Sequence, residues 1–101
     1  MQITIVPADQ VVIVDGEAYA NGEEFGDFNM TKIPSDIHAF QWYGTRGEIE
    51  YIDNLDEDIE CKPNELINEL PSWVNKLVKD HKTLLNKKKA AGFPNLSTDD
   101  N

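Results

Sequence analysis

The stretch that decides the fold is Ile37-His-Ala-Phe-Gln-Trp-Tyr-Gly-Thr-Arg-Gly-Glu-Ile-Glu-Tyr-Ile52, in which two aromatic-rich runs flank residues 44–47. A short loop bounded by glycines is typical of a tight strand reversal, so the stretch predicts a β-hairpin over residues 37–52. With Thr45 and Arg46 at the tip, the register follows. The expected cross-strand pairs are Trp42 with Ile49, and Phe40 with Tyr51.

This register divides the hairpin into an apolar face and a polar face, because alternate residues of a strand point to the same side. A slip of one residue would mix the two faces, so the register is well specified. The apolar face carries Phe40, Trp42, Ile49 and Tyr51, and the polar face carries Gln41, Tyr43, Glu48 and Glu50.

The first twenty residues predict a three-stranded meander with its second strand in the middle. Residues 2–6, 11–14 and 17–20 have strand-like composition, and residues 7–10 form a turn between the first two. Asp15-Gly16 is a strong hairpin signal. This turn places Tyr19 opposite Val12.

The remaining elements are less regular in sequence. Phe25 and Phe28 are expected to point inward from a wet loop, and residues 30–33 are expected to form a short strand. Residues 63–70 predict a helical turn or short helix ended by Pro71. Ser72 then caps a C-terminal helix that ends at Gly92 and Pro94. Its apolar stripe comprises Trp73, Val74, Leu77, Val78, His81, Leu84 and Leu85.

Together these elements predict an α+β fold, a small antiparallel β-sheet of hairpins packed by one C-terminal amphipathic helix. Residues 1–92 form this single domain, and residues 93–101 form a polar tail. The helix is expected to pack on the apolar face of the central hairpin through Trp73, Leu77 and Leu84.

The net charge of −10 is unevenly spread along the chain. Residues 1–70 carry −13, whereas residues 71–92, with six lysines and one aspartate, carry +5. An acidic body repels nucleic acid and anionic lipid, so neither is an expected partner. The basic segment is either a solvated helix face or a surface that meets the acidic body of a second copy in a homo-oligomer. Synthesis in the cytoplasm is expected, because the chain shows neither a signal peptide nor an apolar run of ~20 residues.

The sequence contains no recognisable set of catalytic residues, such as a nucleophile with its base, so we expect neither an enzyme nor a cofactor. Cys61 lies among acidic residues, which oppose thiol activation, and a lone cysteine cannot form a cysteine zinc site. His81 falls on the apolar stripe of the helix and is expected to be packed, and His38 is expected to be structural or solvent-facing. No phosphate-binding glycine loop or metalloprotease motif is present.

The acidic segment 53–60 supplies many oxygen ligands, but it lacks the central glycine and the terminal bidentate glutamate of a calcium loop. A solvated negative loop is therefore expected rather than a metal site, with a short edge strand at residues 59–61. Such a loop can also mimic the phosphates of DNA and occupy a nucleic-acid-binding protein. Its candidate partner-binding residues are Asp56, Glu57 and Asp58.

The order of these pieces resembles a group of small proteins of tailed bacteriophages and prophages, whose genes lie among tail or tail-fibre genes. The most specific part is Ile37-His-Ala-x-Gln-Trp-Tyr43 followed by Gly47-Glu-Ile-Glu-Tyr51. The other parts are residues 3–9, 11–19, the rest of 33–51 and 63–65, and together the parts cover a little over a third of the chain. The resemblance implies a phage accessory protein made in the host cytoplasm, with no catalytic residues to carry over.

Three functions remain open at this point. The first is a structural or accessory protein of the virion or tail, acting through contacts with other phage proteins. The second is an inhibitor of a host defence or nucleic-acid enzyme, and the third is a chaperone for tail-fibre assembly. The candidate partner-binding residues on the hairpin tip are Tyr43, Thr45 and Arg46, with an ordinary solvent-exposed turn as the alternative.

Overall fold

The computed structural model describes residues 1–52 and 63–91. Within them, six strands form one antiparallel sheet in the order β3-β2-β1-β4-β5-β6, and one α-helix follows the last strand. The predicted α+β class is therefore confirmed. The strands are β1 (Ile3–Val6), β2 (Val11–Val14), β3 (Glu17–Ala20), β4 (Ile37–Trp42), β5 (Gly47–Tyr51) and β6 (Glu65–Ile67), and the helix is α1 (Ser72–Ala90).

The N-terminal meander matches its prediction. Asp15 and Gly16 both have positive φ, at 49° and 84°, as a tight hairpin turn of the primed type requires. Tyr19 pairs with Val12 across the ladder. The loop after β3 is held by Phe28, which is buried against the edge of the Tyr19 ring at a centroid distance of 5.6 Å. Phe25 is half-buried against the same core.

The central hairpin forms, but its predicted register is wrong by two residues. Trp42 pairs with Gly47, and Phe40 pairs with Ile49. The turn shifts with the register, because the Tyr43 N–H donates to the Arg46 carbonyl at 2.8 Å and leaves Gly44 and Thr45, rather than Thr45 and Arg46, between the strands. A shift of two residues keeps every side chain on its face, so the predicted apolar face survives. The side chains of Phe40, Trp42 and Ile49 are buried, and that of Tyr51 is half-buried.

Gly47 allows this register because it is covered by the Trp42 side chain. A Cβ atom at Gly47 would lie 2.5 Å from the Gln41 carbonyl oxygen and 2.8 Å from Cε3 of the indole. Any other residue would therefore collide with the strand opposite. A glycine inside a strand often marks such a close approach.

Three local predictions are wrong. Residues 63–70 contain the strand β6 rather than helix, and residues 30–32 form a 3-10 helix rather than a strand. The Asn29 side chain caps that 3-10 turn by accepting the Thr31 N–H at 3.1 Å. Ser72 is the first residue of α1, with Pro71 in the capping position and no capping hydrogen bond from a side chain. The predicted strand at 59–61, the helix end at Gly92 and the tail 93–101 lie outside the described residues.

Helix α1 covers one face of the sheet through Val74, Leu77, His81 and Leu84, all of them buried. Its first turn reaches β4, where the Trp73 ring meets the Phe40 ring edge-on at a centroid distance of 5.4 Å. The buried apolar side chains of α1 and of the sheet form one core, and burying each contributes about 1.5–3 kcal/mol. His81 is packed as predicted, with Nε2 2.8 Å from the Glu17 carbonyl oxygen.

The opposite face of the sheet carries no α-helix in the described part of the chain. One row of paired residues crosses all six strands on that face. Thr4 and Gln41 join its halves through a 2.8 Å hydrogen bond. The row is apolar over β3 and β2, polar in its middle, and apolar again at the β6 edge. Its members are Ala18, Ile13, Thr4, Gln41, Glu48 and Leu66.

Candidate partner-binding surface

The hairpin tip projects from the end of β4 and β5. Gly44 has a φ of +105°, which lets the chain turn within the loop, and the Tyr43–Arg46 backbone hydrogen bond closes that loop. Thr45 and Arg46 are exposed. Tyr43 is 54% exposed, although its side chain is aromatic. The three predicted tip side chains are therefore exposed at the end of the hairpin, and their role in partner binding stays a prediction.

Leu66 on the neighbouring strand extends this surface. It pairs with Glu48, and Ile67 pairs with Gly47, so β6 brings both side chains alongside the hairpin. Leu66 is 81% exposed, the most exposed large apolar side chain of the described residues. A hollow of about 250 Å³ lies between the hairpin and β6, lined by Tyr43, Arg46, Gly47, Glu48, Leu66 and Ile67. We call these six residues the hairpin-tip surface.

Two of the three predicted tip residues belong to this hollow, namely Tyr43 and Arg46. Thr45 is exposed at the tip beside it but does not line it. The predicted acidic partner-binding residues Asp56, Glu57 and Asp58 lie outside the described residues. The structure therefore places part of the predicted set in one surface and says nothing about the rest.

Sequence reasoning missed Leu66 and Ile67 because residues 63–70 were expected to be helical. The available signal was the spacing of prolines. Pro63 and Pro71 leave only a short stretch between them, and isolated helices of that length are unstable. The free edge of β5 offers such a stretch backbone hydrogen-bond partners instead.

Polar contacts hold β6 in place beside the hairpin. The Asn64 amide donates to the Glu48 carboxylate at 2.9 Å, and the Tyr51 hydroxyl donates to the Glu65 carboxylate. The hydrogen bond to Glu65, followed by burial and the nearby negative charges, raises the pKa of Tyr51 to about 12. This end of the sheet is therefore fixed by side chains as well as by the ladder.

The described residues contain no group of three or more His, Cys, Asp or Glu side chains arranged to hold a metal ion. The two histidines have different surroundings, since His81 is buried on α1 and His38 is exposed on β4. Cys61 and the whole segment 53–60, which was considered for calcium, lie outside the described residues. The hairpin-tip surface places an aromatic ring, a guanidinium and an aliphatic side chain around one hollow, which suits contact with another protein.

Comparison with protein-family models, with curated proteins and with solved structures gives no match. Of the helices in residues 1–52 and 63–91, none has the length and apolar character needed to cross a membrane.

Proposed function

We propose that this protein is a structural or accessory protein of a bacteriophage virion or tail, and that it acts through protein–protein contacts made by the hairpin-tip surface. It carries out no catalysis and needs no cofactor. It is made in the host cytoplasm, and its partners are other phage tail or virion proteins. The motif resemblance at residues 37–51 supports the phage setting.

The observation that carries this proposal is the exposure of Tyr43 and Leu66 on either side of one hollow. Exposing a large aliphatic side chain to water is unfavourable, and an exposed apolar patch commonly marks an interaction site. Tyrosine and arginine are the residue types that most often dominate binding energy at protein interfaces. Tyr43 and Arg46 supply those two types, beside the exposed Leu66, on a surface formed by three paired strands.

The edge position of β6 adds a second way to bind. Among the described strands, β6 pairs only with β5, so its outer backbone groups face away from the sheet. An extended segment of a partner can add a strand at such an edge and place one apolar side chain in the hollow beside Leu66. Main-chain hydrogen bonds then give affinity, and the hollow gives selectivity.

The first experiment is mass spectrometry of gradient-purified phage particles, with the copy number measured against the major tail protein. A stoichiometric amount supports a virion role. Absence from particles, combined with good expression in infected cells, contradicts it. In that case, capture of a fibre protein from the lysate indicates the assembly chaperone, and capture of a host enzyme indicates the inhibitor.

A second experiment tests the surface itself. The variant Tyr43→Ala/Leu66→Ala is expected to lose incorporation into particles while keeping its fold, because both side chains are largely exposed. The matched control is Ile52→Ala, which removes another half-exposed apolar side chain at the opposite end of β5. Equal incorporation of the two variants would show that the hairpin-tip surface is not the contact.

A further inference from the structure

A second concave surface lies between the outer side of α1 and the β2–β3 turn, away from the hairpin tip. It has a volume of about 450 Å³, within the range of ligand-binding sites. Its apolar part is formed by Val14 on the sheet and by Val78 and Leu85 on the helix, all half-buried. We call this surface the helix groove.

Charged side chains of both signs line the helix groove, and Glu17 with Lys89 is the one ion pair that the described residues form among them. The Asp15 carboxylate accepts the Gln2 N–H at 2.8 Å, and the Glu17 carboxylate binds Lys89 at 2.9 Å. Lys79 and Lys82 are exposed and have no carboxylate partner among the described residues. The groove therefore presents an apolar floor with two unpaired cations on the helix side and one carboxylate, that of Asp15, on the side of the β2–β3 turn.

The two lysines are three residues apart on α1, so their ammonium groups lie within one helical turn of each other. Two neighbouring cations are best matched by two or more carboxylates. A fatty acid supplies only one carboxylate, whereas an acidic peptide supplies several around an apolar side chain. The electrostatics and the apolar floor together fit such a peptide.

We infer that the helix groove binds a peptide segment of a partner protein in which apolar residues are flanked by aspartate or glutamate. The apolar side chain packs on Val78 and Leu85, and the flanking carboxylates bind Lys79 and Lys82. This inference does not depend on the hairpin-tip surface, and it gives a chain of net charge −10 a place to hold an acidic partner.

The test measures fluorescence anisotropy of the full chain with a labelled peptide, Glu-Asp-Leu-Asp-Phe-Asp-Glu, at about 0.1 M salt, where the Debye length is about 10 Å. Lys79→Glu/Lys82→Glu is expected to weaken binding at least about tenfold, because each reversal replaces attraction by repulsion at the rim. The matched control, Lys32→Glu/Lys87→Glu, changes the net charge equally at exposed positions that do not line the groove. It is expected to change binding less than about twofold, since charges outside the site are screened.

Two further probes separate peptide recognition from charge alone. Replacing the acidic residues of the peptide with Asn and Gln, or its Leu and Phe with Ser, is expected to weaken binding in both cases. Amide chemical shifts of Val78 and Leu85 are expected to move on addition of the original peptide. The inference is overturned if the original peptide does not bind, if both double variants lose binding equally, or if a single-stranded oligothymidylate binds the groove as tightly.

Discussion

At the scale of single residues, Gly47 shows how one missing side chain sets a register. The indole of Trp42 occupies the space that a Cβ atom at Gly47 would need. Because Trp42 pairs with Gly47 rather than with Ile49, the indole ring is buried without colliding with a side chain on the opposite strand. Composition alone could not show this, because both registers place the same side chains on the same faces.

We expect Gly47→Ala to lower the free energy of unfolding by about 1–3 kcal/mol, the usual cost of overpacking a closed site. The added methyl group meets the Gln41 carbonyl, which is backbone and cannot move aside easily. Urea unfolding followed by tryptophan fluorescence measures the change. Thr45→Ala, at an exposed position of the same hairpin, is the control and should stay within about 0.5 kcal/mol of the parent. Equal stability of Gly47→Ala and the parent would contradict the proposed role of the glycine.

A second prediction at this scale concerns Tyr51. Its pKa is about 12 in the folded protein, against an ordinary value of 10.0, so folding favours the protonated phenol. The stabilisation is therefore complete below pH 10 and is lost as the pH rises toward 12. Titration of tyrosinate absorbance, as the difference between the parent and Tyr51→Phe, measures this pKa.

Glu65→Gln should lower the pKa of Tyr51 toward 10, because it removes the carboxylate that accepts the phenol hydrogen. Glu69→Gln, an exposed change in the same segment, should leave the pKa of Tyr51 where it is. A pKa of Tyr51 that does not respond to Glu65→Gln would show that the hydrogen bond is not its cause.

At the scale of elements, the end of α1 is tied to the loop after β3 by Glu23. Its carboxylate binds Lys88 at 2.6 Å and accepts the Ala20 N–H at 3.0 Å. Burial acts to raise the pKa of Glu23, but the hydrogen bonds from Lys88 and Ala20 outweigh it and leave that pKa below 4.5. The helix and the meander are therefore joined by a charged contact as well as by the core.

Because the pKa of Glu23 is lowered by folding, this contact stabilises the protein above pH 4.5 and is lost as the pH falls below that value. We expect Glu23→Gln to cost about 1 kcal/mol or less at neutral pH and to reduce the loss of stability in acid. The comparison is Glu17→Gln, which removes a pair whose side chains are both more than half exposed. Urea unfolding of both variants at neutral and acidic pH measures the free energy of unfolding. Identical unfolding curves for the two variants would refute the prediction.

The elements that could be predicted from sequence are those with strong local signals. Asp15-Gly16 defines the first hairpin, and the stripe containing Leu77 and Leu84 defines α1. The elements that could not be predicted depend on tertiary partners. Strand β6 exists because the edge of β5 is available to it, and the 3-10 turn at 30–32 depends on the Asn29 side chain. For the same reason Tyr43 and Arg46 were predictable as exposed residues, whereas their neighbour Leu66 was not.

At the scale of the whole molecule, the sheet consists of two meanders joined at β1 and β4. Strands β1–β3 form one, and β4–β6 form the other. The joining ladder pairs Ile3 with Trp42 and Ile5 with Phe40, and all four side chains are buried. The first strand of the chain is thus central in the sheet, and the last strand lies at an edge.

Amide hydrogen exchange should follow this arrangement. We expect the amides of β1 and β4 to exchange most slowly, only through global unfolding, because both strands lie between neighbours and carry buried side chains. Amides of β6 should exchange fastest among the strands, because it is short and at the edge. Mass spectrometry with fragmentation measures both, and equal protection of β6 and β1 would contradict the expected ranking.

The joint between β1 and β4 also suggests a practical use. Since each meander is made of consecutive strands, a break in the chain between residues 28 and 36 would separate the sheet along one ladder. The piece that begins before β4 would carry α1, whose His81, Lys88 and Lys89 contact the other piece at Glu17 and Glu23. Two fragments made separately should then recombine into the native sheet. Their association would bury the indole of Trp42 and change its fluorescence, so the fluorescence would report the binding of one polypeptide to another.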